Sequence, residues 1–292
     1  MRYSVRHRTT FTYEEPVSVS HHVLHLTPRG FDRQRCLSST IHVDPKPTLI
    51  SKGADYFGNT VQYLTISEPH RELSVEATSQ VDVFGRTASP SLTDGPSWDD
   101  LAQSVRTLAG PTLEAYEYLF DSRYVVTTGP IGEFARESFP PGRPLLEATM
   151  DLTTRIFTQF TYRGGVSDVS TPVAEVLSMR KGVCQDFAHL QIACLRSLGL
   201  PARYVSGYLL THPPAGHAKL VGSDASHAWL SVWSGPDAGW IDFDPTNDLM
   251  PDVEHVTVGW GRDYGDVSPI NGFILGGGEH EVAVAVDVDA VA

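Results

Sequence analysis

Apolar residues alternate with polar ones through roughly the first 86 residues, and from residue 97 they recur near the 3.6-residue period of a helix, so strands must come first and helices after. Alternation is visible in Tyr3-Ser4-Val5, Phe11-Thr12-Tyr13 and Val17-Ser18-Val19. It returns in Thr40-Ile41-His42-Val43, in Val61 to Ile66 and in Leu73-Ser74-Val75. Turn formers separate these runs at Pro28-Arg29-Gly30, Asp44-Pro45-Lys46-Pro47 and Gly58-Asn59. Short strands at this spacing fit a small antiparallel β-sandwich. The stretch from Thr87 to Trp98 holds two Pro, one Gly, three Ser and two Thr, and reads as a linker.

Ser97 precedes Trp98-Asp99-Asp100-Leu101 as an N-cap with acids in the first turn. Helical periodicity continues from Leu113 to Leu119 and from Leu145 to Phe160, broken between them by Pro140-Pro141-Gly142. A further helix is expected from about Cys184 to Leu198, stopped by Gly199 and Pro201. Strand patterns then return at Arg203-Tyr204-Val205, His227 to Trp233 and Trp240 to Phe243, and in the tail from Val256, most clearly from Glu281 to Asp287. The fold class is α+β. An antiparallel β domain over residues 1–90 is followed by a core over 91–292, with strands at its C-terminal end. A length of 292 residues fits two domains at roughly 150 residues each.

Composition narrows the class. Hydrophobic residues form 41% of the chain, enough for a packed core rather than a disordered one. A net charge of -13 argues against a partner whose phosphates must be neutralised, so no nucleic acid is expected. Six Arg within residues 1–36 are scattered and read as strand-surface residues. No apolar run is long enough to cross a bilayer, and the N-terminus lacks the apolar core of a signal peptide. Three cysteines, Cys36, Cys184 and Cys194, are too few and too scattered for a disulfide framework, and suit a reducing cytoplasmic setting.

The segment Arg180-Lys181-Gly182-Val183-Cys184-Gln185-Asp186-Phe187-Ala188-His189 puts a cysteine where a glycine-containing turn enters a helix. A helix N-terminus favours an anion and offers backbone N–H groups to an oxyanion. Phe187, Leu190, Cys194 and Leu198 form one stripe of that helix, so Cys194 reads as a small core residue. Cys36 has no assigned role. Ser226-His227-Ala228-Trp229 opens a strand 43 residues after Cys184, and Asp242-Phe243-Asp244-Pro245-Thr246-Asn247 ends the next, with Asp244 lying 17 residues after His227. Antiparallel pairing of these strands would bring His227 near a carboxylate. A thiol, an imidazole and a carboxylate in that arrangement form a nucleophile, its base and the group that orients the base. Asp242 and Asp244 share a strand face, so geometry leaves both open.

The three motifs G-V-C-Q-D-F-A-H, S-H-A-W and D-F-D-P-T-N resemble those of the bacterial transglutaminase-like cysteine protease family, within the transglutaminase-like superfamily. Asp55-Tyr56-Phe57-Gly58-Asn59 resembles the hallmark of the β domain that precedes the core in these proteins, and Gly261 to Val267 resembles a segment that follows the Asp motif. The resemblance implies a papain-like core with Cys184 as nucleophile, His227 as base and then acid, and Asp244, which stands before Pro-Thr, as orienter. It also implies attack on an amide of a protein or peptide substrate through a thioester, with hydrolysis favoured over transfer to an amine. No cofactor and no metal are expected, nor any membrane association. The oligomeric state is left open.

Other residues and readings were weighed beside these. Tyr162 and Gln185 are candidates for the second oxyanion donor. Asp186 shapes the entrance or suits the helix dipole, and His189 lies too far around the helix to be the base. His21, His22 and His25 read as a solvated strand face rather than a metal site. His212 and His217 flank a Pro-rich loop, and Gly276-Gly277-Gly278 reads as a turn before the last strand. Competing functions are acyl transfer from coenzyme A to an arylamine, a peptide-binding module without turnover, and a zinc site built from Cys184, His227 and Asp244.

Overall fold

A computed structural model describes residues 1–87, 90–107, 113–211 and 226–291. His212, His217 and their loop lie outside the described residues. The first strand is β1 (Arg2–Leu24), followed by β2 (Gln34–Asp44), β3 (Leu49–Ala54), β4 (Thr60–Ile66) and β5 (His70–Val83). The three short runs expected between Tyr3 and Val19 are one strand, because the backbone stays extended through Glu14-Glu15-Pro16. The interruption survives as a fault in the ladder. Pro16 has no N–H to donate, and the register with β5 shifts between Thr12 and Val17. One apolar cluster gathers Leu64 and Ile66 of β4 with Leu73, Val75 and Ala77 of β5 and Val43 of β2. The sheet therefore folds over itself about β1 and closes a sandwich-like core.

The second region begins with α1 (Trp98–Arg106), α2 (Leu113–Tyr116), α3 (Gly129–Arg136) and α4 (Leu145–Gln159). Ser97 caps α1 by accepting from the Asp100 N–H at 3.3 Å, as the sequence pattern requires. Next come β6 (Thr161–Tyr162), α5 (Val173–Met179), β7 (Lys181–Gly182) and α6 (Cys184–Ser197). The strands β8 (Ala202–Leu209), β9 (Ser226–Trp233), β10 (Trp240–Phe243) and β11 (His255–Gly261) form a second antiparallel sheet in the order β10-β9-β8-β11. Helix α6 stops where Gly199 takes φ +80, a conformation that disfavours other residues. The expected stripe of Phe187, Leu190, Cys194 and Leu198 lies in the core, but burial of α6 is not confined to it. Every residue from Asp186 to Arg196 is buried, because α6 packs on β8 and β9 and is covered by α3, α4 and α5.

The chain ends with α7 (Tyr264–Val267), β12 (Ile270–Gly276) and β13 (His280–Val291). Gly276, Gly277 and Gly278 all take positive φ in the turn between the last two strands. These strands return to the first sheet rather than extending the second. β12 pairs with the C-terminal half of β1 and β13 with its N-terminal half. Long-range ladders of this kind leave no local trace in sequence. Among the described residues, no helix is long and apolar enough to cross a membrane.

The two sheets meet through an apolar contact of Tyr3, Val5, Val81, Val286 and Val288 against Tyr208, Val256 and Val258. Polar clamps fix their register. Gln34 accepts from the Thr257 N–H at 2.8 Å and donates to the Thr257 carbonyl at 2.7 Å, standing in for a neighbouring strand. Asn59 does the same for Trp260, accepting from its N–H at 3.0 Å and donating to its carbonyl at 2.8 Å, while its own amide groups are held by Asp55. A Cβ on Gly259 would lie 2.7 Å from Asn59 Oδ1, so only glycine permits the approach. The Asp55–Asn59 segment is thus a joint between the sheets. Asn59→Ala would leave two buried main-chain groups without partners, and urea denaturation should show a loss of about 2–4 kcal/mol; a loss within about 0.5 kcal/mol, as for an ordinary surface change, would refute the joint.

Candidate functional site

The turn that delivers Cys184 is held by the residue two positions beyond it. Asp186 Oδ2 accepts from the Val183 N–H at 2.7 Å and from Ser167 Oγ at 2.6 Å. Its carboxylate bends back so closely that a Cβ on Gly182 would stand 2.7 Å from it, which explains the glycine in this motif. Burial pushes the Asp186 pKa up, against the opposing pull of these two donors. Cys184 is then the first residue of α6, half-buried, with its sulfur at the positive end of the helix. Beside it, β6 and β7 pair in parallel, and Tyr162 stands opposite Gly182.

His227 opens β9 opposite Gly207 of β8, where a Cβ would lie 2.1 Å from the Val256 carbonyl and 2.6 Å from the Trp229 ring. Its Nε2 is 2.7 Å from Asp244 Oδ2. Cys184 is also within hydrogen-bonding reach of the ring, and with Nε2 engaged, Nδ1 is the nitrogen left for the sulfur. Asp244, just past the end of β10, is fully buried. Its Oδ1 accepts from the backbone N–H groups of Thr246 at 2.9 Å and Asn247 at 3.3 Å. Its Oδ2 takes His227, the Asn247 side chain at 2.7 Å and His255 Nε2 at 3.1 Å. Asp242 lies further along the strand, held by Arg33 Nη2 at 2.9 Å and by Ser231 Oγ. The carboxylate that reaches His227 is therefore that of Asp244.

The charges follow from these contacts. Burial opposes the imidazolium of His227, but the bonds to Asp244 and Cys184 outweigh it and raise its pKa from 6.5 to about 10. Burial likewise opposes the Asp244 carboxylate, and the bonds from His227 and His255 outweigh it, lowering its pKa well below the usual carboxylate range.

His255 is the member sequence reasoning missed. It starts β11, three strands from Asp244 in sheet order, and is 6% exposed. No motif links it to the other three; the only sequence signal is a histidine opening a strand. A ring nitrogen of His227, one of His255 and a carboxylate oxygen of Asp244 lie within 4.8 Å of one another, and the short contacts are those of two donors on one acceptor.

The other candidates separate. Cys194 is fully buried and burial pushes its thiol up to about 12. Cys36 is partly buried at a bulge of β2, its Sγ 3.5 Å from the Ser38 carbonyl, and burial raises its pKa too. His189 accepts from the Tyr264 N–H at 3.1 Å, and burial lowers its pKa to about 4, so it serves as a neutral acceptor away from the sulfur. Gln185 is partly buried on the first turn of α6, and Tyr162 is close enough for the Cys184 charge to act on it. The solvated face expected of His21, His22 and His25 is corrected. His22 is buried, His21 bonds Thr65 and His25 bonds Asp55, because β4 and β12 flank this half of β1 on both sides.

Residues 3–82 match the family model of the bacterial transglutaminase-like N-terminal region, and residues 133–245 match that of the transglutaminase-like superfamily. An uncharacterized protein of Mycobacterium tuberculosis H37Rv is 45% identical over 99% of this chain and 92% of its own length. A protein-glutamine gamma-glutamyltransferase of Pseudomonas aeruginosa is 39% identical over 74 residues, 25% of this chain and 11% of that protein. The solved structure of a candidate cysteine protease from Cytophaga hutchinsonii shares the fold with a TM-score of 0.78 at 22% identity, covering 100% of this chain and 91% of that one.

The His227–Asp244 contact should also shape stability. The raised His227 pKa makes its contribution complete below pH 6.5 and lost as pH rises toward about 10. The lowered Asp244 pKa adds stability above the ordinary value of 3.8, lost as pH falls below it. The difference in urea midpoint between the native chain and His227→Gln should peak between pH 4 and 6.5 and shrink from there to pH 10; a difference independent of pH would contradict the charged pair.

Proposed function

Because the chain belongs to the transglutaminase-like superfamily, with the bacterial N-terminal region ahead of its core, we propose that it is a thiol enzyme acting on amide bonds of a protein or peptide. The observation that carries this reading is the His227 ring held between the Asp244 carboxylate and the Cys184 thiol. With its raised pKa, His227 already holds the thiol proton on Nδ1, and the sulfur attacks the amide carbonyl. Asp244 holds the ring by Nε2 and balances the imidazolium charge. As the tetrahedral intermediate collapses, the C–N bond breaks and the departing amine takes the proton from His227, leaving a thioester on Cys184. Water activated by the neutral ring then releases the acid and restores the thiol. The Cys184 backbone N–H at the start of α6 supplies one oxyanion donor, and we assign the Tyr162 hydroxyl as the second. Tyr162 is favoured over Gln185 because the short β6–β7 ladder holds it beside the nucleophile turn.

Hydrolysis is the favoured outcome, on the resemblance to the bacterial protease-like branch. The local match to a glutamyltransferase supports an amine as the competing acceptor. Incubating the protein with a peptide library, with and without a primary amine, and reading products by mass spectrometry tests both. Cleaved peptides are expected, Cys184→Ala should lower turnover by at least about 10³-fold, and iodoacetamide should label Cys184 ahead of Cys36 and Cys194. Products that persist in Cys184→Ala would end the proposal, and amine-linked products in place of cleaved ones would assign the chain to acyl transfer.

His255 acts here as a positioning residue, sharing Asp244 Oδ2 with His227. In His255→Phe, kcat should fall about tenfold with KM little changed. The His227 limb of the pH–rate profile should move upward, since the carboxylate charge is then divided among fewer donors. A fall in kcat with an unmoved pH profile would mean that His255 serves packing alone.

A further inference from the structure

The sheet face that bears His227 continues, past the fully buried Trp229, to Ser231, roughly 13 Å further along β9 at about 3.3 Å per residue, where Asp242 of β10 pairs with it. There the N-terminal region does not close against the sheet, and a cavity of about 370 Å³ remains, within the size range of small-molecule sites. Arg33 and Arg86 enter it from the N-terminal side, and Arg203, Trp240, Asp242 and Trp260 from the sheet. This is an unusual concentration of guanidinium groups for a chain of net charge -13.

The Arg86 side chain makes no ion pair with a described residue. Asp242 is already engaged by Arg33 Nη2 at 2.9 Å and by Ser231 Oγ. Asp32, the other carboxylate of the lining, stands on the exposed rim. Asp252 lies behind Arg86 and accepts from its backbone N–H at 3.1 Å, not from its side chain. Arg86 Nε is buried with no hydrogen-bond partner among the described residues. Burial disfavours the Arg86 charge and the nearby Arg33 adds repulsion, only partly offset by Asp242 and Asp252. A guanidinium cannot shed its proton to relieve this, so an unpaired buried N–H is retained at a cost in stability. Arg203 is fixed between two aromatic faces, its guanidinium carbon 4.4 Å from the Trp240 ring centre and 3.9 Å from that of Trp260. Stacking of this kind pre-orders a planar cation.

We propose that this cavity is a binding site for a small oxyanion, carboxylate or phosphate, held by Arg86 with Arg203 beside it. Planar bidentate recognition of such groups is what the guanidinium fork does best. None of Cys184, His227 and Asp244 lines the cavity, so it is distinct from the place where an amide would be attacked and stands whether or not the thiol reading holds.

The test uses the whole chain, with inorganic phosphate and citrate as separate probes at an ionic strength held constant with sodium chloride. One or both should raise Tm in proportion to the logarithm of concentration and shift the indole N–H signals of Trp240 and Trp260 in NMR spectra. The probe that does so identifies the oxyanion. Arg86→Gln should weaken the apparent Kd by at least about tenfold while leaving the unliganded protein as stable as the native one or more so. The proposal is overturned if neither probe moves the indole signals, if native and Arg86→Gln proteins respond alike, or if Arg86→Gln is markedly less stable, or unfolded, without any anion. In the last case Arg86 is a structural residue, and Arg86→Lys, which keeps the charge but not the fork, should then restore stability.

Discussion

A carboxylate that no water reaches must be surrounded by donors, and the C-terminal half of this molecule is arranged to surround Asp244. Two backbone N–H groups fill one oxygen, and two imidazoles and an amide share the other. Those donors come from the turn after β10 and from the first residues of β9 and β11, so the order of the sheet follows from what the carboxylate needs. The charge kept ionised there acts on His227, which in turn faces the sulfur at the start of α6. Disturbing any one donor alters the charge that the ring feels, and this couples strands that are not neighbours in the sheet.

The N-terminal sheet supplies the frame for that arrangement. Its apolar edge covers β8 and β11, and Gln34 and Asn59 mimic strand neighbours so that β11 is held in register without a true partner beyond it. Since His255 begins β11, the joint at Asn59 and Gln34 bears on the carboxylate from a distance. Where the frame and the sheet fail to meet, the arginine-lined cavity remains. The N-terminal region is thus both a support for the site and the wall of a second chamber.

Much of this was legible in the chain. Alternation marked the strands, Ser97 and Gly199 marked helix ends, and the G-V-C, S-H-A-W and D-F-D-P-T-N motifs picked out the three residues that meet. The Arg residues of the first strands did not resolve so cleanly. Arg2, Arg6 and Arg8 pair on the surface with Asp82 and Glu76, as scattered strand arginines should, whereas Arg33 turns inward to Asp242. The helices α3 and α5 carry no clear pattern, because eight and seven residues give a 3.6-residue period too few turns to show.

Local chemistry by itself determined which residues could act: a cysteine at a helix start, a histidine opening a strand, an aspartate closing the next. Those placements were legible because a cap, a turn or an alternating face is dictated by residues within a few positions. Tertiary structure alone decided that Asp244 rather than Asp242 reaches the imidazole, that His255 joins it, and that β12 and β13 return to β1. It also decided that Arg86 and Arg203 line one cavity. Each of these is a meeting of segments far apart in the chain, selected by which packing buries the most apolar surface while satisfying most buried polar groups, and no local period records that choice.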